Sequence, residues 1–463
     1  MIVEQLYTHC LAEAAYYIES DGEAAIIDPL RDSGPYLARA AKNGASIKYI
    51  FETHFHADFV SGHRELAEKT NAAIVFGNKA MTGFEAILAE DGQTFQVGKL
   101  RIVALHTPGH TLESTSYLLL NEEGKAHCIF TGDTLFIGDV GRPDLAVKSD
   151  LTMEQLAGML YDSLHQKIMA LPDDVIIYPA HGAGSACGKN MSKETFDTLG
   201  NQKQVNYALK APNKETFIGL VTSGLTQPPA YFPANVQMNK EGATGMQEIY
   251  ANGLKPLQPN DFNALMNNAD TIVLDVRKPA AFCSEHIPDS ISIGLDGQFA
   301  PWLGAVMDIH KNYLLVCDTG REEETVMRMA RVGFDRVVGY LDGGVTAWKK
   351  AGFPTASITS LAPEEYTGLL QDNTTPVLDV RRPGEYDSGH LPQAQLYPLD
   401  DINQWINSLD KSHPWYVHCA GGYRSVIAAS VMKKAGYAVS DIAGGFASIK
   451  KAGLPIVTEE KVH

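Results

Sequence analysis

The sequence predicts an α/β chain with a layered N-terminal domain followed by two copies of a smaller α/β domain. Three observations predict it. Short apolar strand-like runs alternate with helical patterns through the first part of the chain, which argues for helices packed on sheet. Further on, TIVLDVRKPAAFCSEHIPDS (271–290) is echoed by TPVLDVRRPGEYDSGHLPQA (375–394), with Asp275 and Asp379 at an offset of 104 residues. The length of 463 residues suits about three domains at roughly 150 residues each.

The elements follow in order. AAIIDPL (24–30), IKYIFETH (47–54), AAIVFG (72–77), RIVALHTP (101–108) and AHCIFTGD (126–133) are rich in β-branched and aromatic residues and end in turn formers, so they read as strands. GPYLARAAKNG (34–44) and SGHRELAEKT (61–70) read as helices between them. A polar, Pro-rich stretch at 226–242 is expected to be the tail of this domain, with a linker near 250–258. WKKAGFP (348–354) is echoed by IKKAGLP (449–455), so the repeat spans whole units of about 100 residues. That period is too long for a solenoid. The expected domains are 1–250, 256–357 and 358–463.

Composition limits the function. A formal net charge of −17 disfavours nucleic acid and anionic membrane as partners, because both need a basic surface. A locally positive pocket for a small anion stays compatible with it. The stretch MIVEQLYTHCLAEAAYYIES lacks a basic segment followed by an apolar run, so no secretory signal is expected. No apolar run approaches the about 18 residues a membrane span needs. Six scattered cysteines are too few for a disulfide framework. A reducing, cytoplasmic setting is the expectation.

Four stations then stand out: His54-Phe55-His56-Ala57-Asp58, Thr107-Pro108-Gly109-His110, Thr131-Gly132-Asp133 and Pro179-Ala180-His181-Gly182. In each, an apolar run ends in a His or Asp beside a small or turn residue. Loops at one edge of a sheet can bring such ligands to one point, so the pattern points to a metal site. His63, His106 and His165 lie outside it and are read as structural.

The HxHxD motif with its downstream His, Asp and His resembles the metallo-β-lactamase superfamily, whose fold is an αββα sandwich. Dinuclear zinc members carry a further His directly after the motif Asp. Here that position is Phe59, which cannot ligate, so a mononuclear centre is expected. ETHFHAD (52–58), HTPGHT (106–111) and FTGDTLFIGDVGRPDL (130–145) resemble the persulfide dioxygenases more closely. That resemblance implies one Fe(II) per subunit, held by His54, His110 and Asp133, with His56, Asp58 and His181 orienting ligands and water. Two imidazoles and a carboxylate would leave three positions for thiolate, O2 and water. Whether His56 also ligates is open. Two readings of Arg142 are open as well: a residue organising the pocket, or a salt bridge to Asp139 or Asp144. Cys187, in the glycine-rich HGAGSACGKN, either holds persulfide sulfur or is a structural thiol; the case for Cys10 is weaker, and Cys128 is expected in the core.

In the last unit the strand WYVH (415–418) ends in Cys419-Ala420-Gly421-Gly422-Tyr423-Arg424-Ser425, followed by a helical pattern. A cysteine at a helix N-terminus beside an arginine favours the thiolate, and the loop amides can stabilise a persulfide. With LDVRRPGEYDSGHLP (378–392) and IAGGF (442–446), this loop resembles the rhodanese sulfurtransferases. The resemblance makes Cys419 the persulfide carrier and Arg424 its catalytic partner. Asp379 and Arg381 match the signature that supports the fold. The middle unit departs. Aligned on Arg321, Val316 stands where Cys419 does, and Cys317 is followed by Asp318 and by Glu322, Glu323 and Glu324. Nearby acid disfavours a thiolate, so this unit reads as a degenerate rhodanese with a packing or spacing role, and Cys283 reads as incidental.

These resemblances imply oxidation of a small thiol persulfide, of the glutathione or coenzyme A class, by O2 to sulfite. Sulfur transfer through Cys419 to thiosulfate, or the reverse, is implied with it. A homo-oligomer is expected. The alternatives are a glyoxalase II-like zinc thiolester hydrolase with an appended sulfurtransferase, and a non-catalytic sulfur carrier.

Overall fold

The computed structural model describes residues 1–147, 151–370 and 375–458. The chain forms two compact units, Met1–Met246 with Ala330–Gly333, and Gln247–Met329 with Phe334–His463.

The first unit holds two six-stranded sheets. One takes its strands in chain order, from Ile2–Thr8 through Glu13–Ser20, Glu23–Ile27, Ser46–Phe51 and Ala73–Gly77 to Ile87–Ala89. The other runs from Asp197–Thr198 through Ile176–Pro179, Ala126–Gly132, Thr115–Leu120 and Leu100–His106 to Thr94–Val97. Side chains alternate across a strand, and both faces of these sheets are covered. Along Glu13–Ser20, Ala14, Tyr16 and Ile18 enter the core between the sheets with Phe95, Tyr117 and Phe130. Ala15 and Tyr17 face the other way, against Tyr36, Ala40 and Leu66 of helices Gly34–Asn43 and His63–Thr70. Beyond the second sheet, Leu118, Ile129 and Ile177 meet Leu160, Phe217 and Val221 of helices Met153–Ser163 and Lys214–Thr222. The layers are therefore helix, sheet, sheet, helix. Strands buried on both faces read as near-continuous apolar runs, which is why they stood out in the sequence.

The topology places the four stations. Ala126–Gly132 and Ile176–Pro179 are parallel, and Leu100–His106 runs the same way through two antiparallel steps. Their C-terminal ends share one edge of the sheet. Ser46–Phe51 delivers the first station from the other sheet, where Thr115 N–H donates to Thr53 O at 2.8 Å.

The second unit holds two five-stranded sheets. Every pairing in them is parallel. Each runs in the same order: Pro256–Leu257, Val337–Leu341, Asn312–Val316, Thr271–Asp275, Ile291–Ser292, then Thr359–Leu361, Val439–Ile442, Trp415–His418, Val377–Asp379, Ala394–Leu396. The repeat in sequence is thus a repeat in topology. The two DVR motifs have one structural use, since Arg277 and Arg381 each clamp the aspartate two residues before, at 2.6 Å.

Two expectations change here. The linker near 250–258 is a helix, Met246–Gly253, followed by the edge strand Pro256–Leu257. The Pro-rich tail contains the helix Phe232–Glu241, with its Pro233 in the first turn, where proline is tolerated because that N–H has no helical partner.

Candidate metal centre and thiol loop

His54, His110 and Asp133 lie in the loops directly after their strands, each at 2% exposure or less. Their ligand atoms all lie within 4.8 Å of one another. Asp133 Oδ2 stands 3.7 Å from His54 Nε2 and 3.4 Å from His110 Nε2. It is buried without a hydrogen-bond partner. A buried carboxylate oxygen without a partner is costly, and a cation among these three atoms would satisfy it. The residues present fit a metal ion.

Each ligand is held by its other polar atom. His110 Nδ1–H donates to the Arg142 carbonyl at 2.8 Å. His54 Nδ1–H donates to Thr53 Oγ1 at 3.0 Å, and that hydroxyl donates to Asp28 Oδ2 at 2.8 Å. Both bonds leave an Nε2 lone pair facing Asp133, the tautomer a metal requires. His181 Nδ1–H donates to Asp133 Oδ1 at 2.7 Å, leaving Oδ2 for the ion. Burial depresses the His54 pKa well below its usual value, so the imidazole stays neutral. Burial opposes the Asp133 charge, yet His181 and His54 hold its pKa well below the carboxylate range.

His56 falls in a different group, with Asp28 and Glu52. Its Nε2 is 3.1 Å from Asp28 Oδ1 and 3.5 Å from Glu52 Oε2, while Phe59 stacks on its ring at 4.3 Å. Burial works against the imidazolium, but Asp28 and Glu52 lift its pKa to about 10. Asp58 is grouped instead with His181 and Cys187. The three histidines read as structural have such partners: His63 Nδ1 pairs with Glu52 at 3.1 Å, His106 Nε2 with the Leu112 carbonyl at 2.9 Å, and His165 packs on the Tyr161 ring.

Arg142 takes the salt bridge to Asp144, through Nε and Nη2 at 2.7 Å each. Asp139 instead caps the amides of Lys189 and Asn190 at 2.6 Å. Arg142 still shapes the site, since its carbonyl orients His110 and its Nη1 donates to the Ala186 carbonyl at 3.1 Å. Cys187 is buried beside the site, and burial pushes its thiol pKa well up. Cys128 lies in the inter-sheet core. Cys10 is part-exposed.

In the second unit, Cys419 follows strand Trp415–His418 and precedes helix Tyr423–Lys434. The Gly422 N–H donates to its Sγ at 3.1 Å. The 442–446 segment clamps the loop from behind: Phe446 N–H donates to Cys419 O at 2.7 Å and Ala447 N–H to Ala420 O at 3.1 Å. A Cβ at Gly445 would meet Cys419 O at 2.4 Å, so only glycine fits there. Arg424 is fork-paired to Glu385, two bonds of 2.7 Å. Tyr423 OH donates to the Gly294 carbonyl at 2.6 Å. Gly421 lies exposed in the loop, and Ser425 is buried in the helix's first turn. In the middle unit, Cys317 is buried against Thr325 and its thiol is pushed up to about 12 by burial. Cys283 packs with Phe282, Ile358 and Val426.

Sequence reasoning missed Thr53, Asp28, Glu52 and Glu385. The signal for Asp28 was faint, a charged residue closing an apolar strand. Glu385 was visible in the repeat, since the matching position 281 of the middle unit is alanine.

A family model described as the metallo-beta-lactamase superfamily matches residues 10–181, and a rhodanese-like domain model matches 258–351 and 362–452. The cytoplasmic hydroxyacylglutathione hydrolase of Arabidopsis thaliana is 32% identical over 179 residues, 37% of this chain and 65% of that protein. The mitochondrial persulfide dioxygenase of Homo sapiens is 35% identical over 164 residues, 34% of this chain and 59% of that protein. The chain thus spans less than two thirds of the length of either. A crystal structure of a metallo-beta-lactamase from Staphylococcus aureus subsp. aureus COL superposes with a TM-score of 0.65 at 32% identity, over 74% of this chain and 98% of that one. Among the described residues, no helix is long and apolar enough to cross a membrane.

Proposed function

Since the chain belongs to the metallo-beta-lactamase superfamily and carries two rhodanese-like domains after that domain, we propose that it oxidises a small thiol persulfide to sulfite and transfers sulfur through Cys419 to give thiosulfate. The observation that carries this reading is the donor set. Two imidazoles and one carboxylate converge, while the Nε2 of the neighbouring His56 turns to Asp28 and Glu52. That set matches iron sites that activate O2 and leave positions open.

Bound at His54, His110 and Asp133, Fe(II) would supply positions for the terminal sulfur and O2, and electrons that Zn2+ cannot give. The protein's part is to fix and isolate that site. Thr53 and the Arg142 carbonyl hold both imidazoles as Nε2 donors, and the Phe59 and Phe136 rings stand edge-on to His181. In the net reaction the persulfide S–S bond breaks and the sulfane sulfur gives four electrons to O2. Two oxygens of sulfite come from O2 and one from water, and the thiol and two protons are released. At the second site the Cys419 thiolate attacks the outer sulfur of another persulfide, and the small thiol leaves. Sulfite then attacks the sulfur carried by Cys419. Thiosulfate departs and the thiolate returns, received by the Gly422 amide.

A second reading is a zinc thiolester hydrolase with an appended sulfurtransferase, favoured by the hydroxyacylglutathione hydrolase likeness. Phe59, in place of an imidazole, weighs against it. Metal analysis of anaerobically purified protein, with an oxygen electrode and glutathione or coenzyme A persulfide, separates the two. Iron with persulfide-dependent oxygen uptake is expected. Zinc-only protein that cleaves a glutathione thiolester without consuming oxygen overturns the proposal.

A further inference from the structure

We propose that Glu385 is a positioning residue that sets the specificity of the sulfur-transfer loop: forked onto Arg424, it weakens the hold on sulfite and thiosulfate and lets the thiosulfate dianion leave. The inference rests on the reading of Cys419 as the sulfur carrier.

The geometry shows what Arg424 still has to offer. A guanidinium carries more N–H groups than one carboxylate can take. Nη1 and Nη2 each spend one on Glu385, at 2.7 Å. The Nε–H and the second hydrogen of each terminal nitrogen lie outside that fork. Arg424 is also close enough to Cys419 for the two charges to interact. It can therefore hold an anion beside the Cys419 sulfur while its far edge stays on Glu385.

Glu385 is fixed in place by its own helix. Its Oε2 also accepts the Arg382 amide at 3.1 Å, at the start of helix Pro383–Asp387. The hydrogen bonds from Arg424 hold its pKa below the ordinary value, so it is a carboxylate at neutral pH. The middle unit supplies the contrast. Arg321 meets Asp296 through Nη1 at 2.7 Å, and Glu324 through Nε at 3.0 Å and Nη2 at 3.1 Å. The Nε edge that Arg424 keeps for an anion is closed there by Glu324.

The charges around the loop are nearly balanced. Arg381 is matched by Asp379 at 2.6 Å, and Arg382 by Asp400 at 3.5 Å. Burial keeps His418 neutral. Lys450, 5.2 Å from the centre of the Phe446 ring, adds one positive charge. In the transfer step sulfite bonds to the outer sulfur of the Cys419 persulfide. The S–S bond to Cys419 breaks, its electron pair returns to the thiolate, and the persulfide proton goes to solvent. A dianion then stands beside the loop, and an unmatched guanidinium would retain it. Glu385 takes up that positive charge and repels the anion across the width of one guanidinium. Thiosulfate is thereby released readily and is a poor sulfur donor.

The test measures sulfur transfer by the full chain in both directions, from thiosulfate to glutathione and from glutathione persulfide to sulfite. Glu385→Gln removes the charge and keeps a hydrogen-bond acceptor. Its KM for thiosulfate and for sulfite should fall by at least about fivefold, and thiosulfate should become a stronger product inhibitor. A merely structural role would raise KM or lower kcat alone, and an unchanged or raised KM overturns the inference. Salt gives a second reading that needs no variant. The wild-type KM for thiosulfate should rise by less than about twofold between about 0.05 and 0.5 M salt, where exposed charges become screened. A steeper rise reveals an unmatched cation and overturns the inference even if Glu385→Gln fails to fold. Cys419→Ser separates the two levels of the argument. If it keeps sulfur transfer, the carrier reading falls and the inference with it. If transfer needs Cys419 and Glu385→Gln leaves both KM values unchanged, the inference alone falls.

Discussion

Replacing Thr53 by valine keeps the side-chain shape and deletes one hydroxyl. That hydroxyl accepts from His54 Nδ1 at 3.0 Å and donates to Asp28 Oδ2 at 2.8 Å, in a site with 1% exposure. Asp28 still accepts the Thr53 amide at 2.7 Å through Oδ1, so the strand end keeps its anchor. Two buried polar atoms lose their partner, each worth about 1–3 kcal/mol if nothing relaxes. His54 has an inexpensive escape, which is to move its proton from Nδ1 to Nε2. The proton would then sit on the atom that must face the metal. The stability loss should therefore fall at the low end, about 1–2 kcal/mol, and metal affinity should drop by about 10- to 100-fold. Chelator competition for Fe(II) under anaerobic conditions measures the affinity, and urea unfolding of the metal-free protein measures the stability. Thr53→Ser, which restores the hydroxyl, should recover most of the affinity. A Thr53→Val protein that folds normally and binds Fe(II) as the wild type does would refute the argument that this relay sets the His54 tautomer.

Cys419→Ser should keep persulfide-dependent oxygen uptake and lose thiosulfate formation, followed by separating sulfite from thiosulfate; continued thiosulfate production would remove Cys419 from the mechanism. Gly445→Ala forces a methyl onto Cys419 O at 2.4 Å in a backbone held at φ +57, so sulfur transfer should fail and the second unit lose roughly 1–3 kcal/mol, with unfolding monitored alongside activity. Glu385 titrates below its ordinary value, chiefly because Arg424 hydrogen-bonds its carboxylate. A lowered folded pKa means the pair stabilises above the ordinary carboxylate range, near pH 4, and that contribution is lost as pH falls through the lowered value. The Tm gap between wild type and Glu385→Gln should thus be present at neutral pH and close in acid; a gap that widens on acidification contradicts the pairing.

What could be read in the sequence follows from how each feature is encoded. The strands delivering His110 and Asp133 run into Pro108-Gly109 and Gly132, and the strand delivering His54 ends in the buried Ile50 and Phe51, so motif and position are both local in sequence. The repeated topology was visible for the same reason, since LDVR records a strand end and an Arg–Asp clamp in four adjacent letters. The bonds that hold the ligands were not visible. The acceptor for His110 is a main-chain carbonyl 32 residues away, and a carbonyl carries no residue signature. The partition of His56 from His54 depends on Asp28 and Glu52, which stand at the ends of two neighbouring strands of one sheet and need the fold before they face one ring. The salt-bridge reading of Arg142 left its partner open because both Asp139 and Asp144 lie within reach in sequence. Only the turn geometry sends the guanidinium to one and main-chain amides to the other.

We infer that the middle rhodanese-like domain serves packing rather than sulfur transfer. Matched on Arg321 the sequence puts Val316 opposite Cys419, but strand register overturns this: Asp275 pairs with Val316 as Asp379 pairs with His418, so Cys317 stands where Cys419 does. The loop from Cys317 to Arg321 is one residue shorter than that from Cys419 to Arg424, and Cys317 is buried against a threonine with its thiol pushed up to about 12 by burial. Position 281 lacks the carboxylate that grips Arg424 in the last unit, and Arg321 turns instead to Asp296 at 2.7 Å. Yet the segment just before Asp296 packs on the helix that follows the Cys419 loop. The Gly294 carbonyl accepts the Tyr423 hydroxyl, Ser292 N–H donates to Ser430 Oγ at 3.0 Å, and Phe282 and Cys283 pack on Val426 and Ala429. A Cβ at Gly297 would come within 2.8 Å of the Tyr423 ring. Tyr423 lies between Gly422, whose amide meets the Cys419 sulfur, and Arg424. Loosening the middle unit would therefore loosen the backbone around Cys419, although the proposed mechanism uses no atom of that unit. Tyr423→Phe removes the Gly294 bond alone. If the argument holds, it slows sulfur transfer while leaving the Arg424–Glu385 fork intact, and a variant with unchanged transfer kinetics would show the middle unit to be a spacer only.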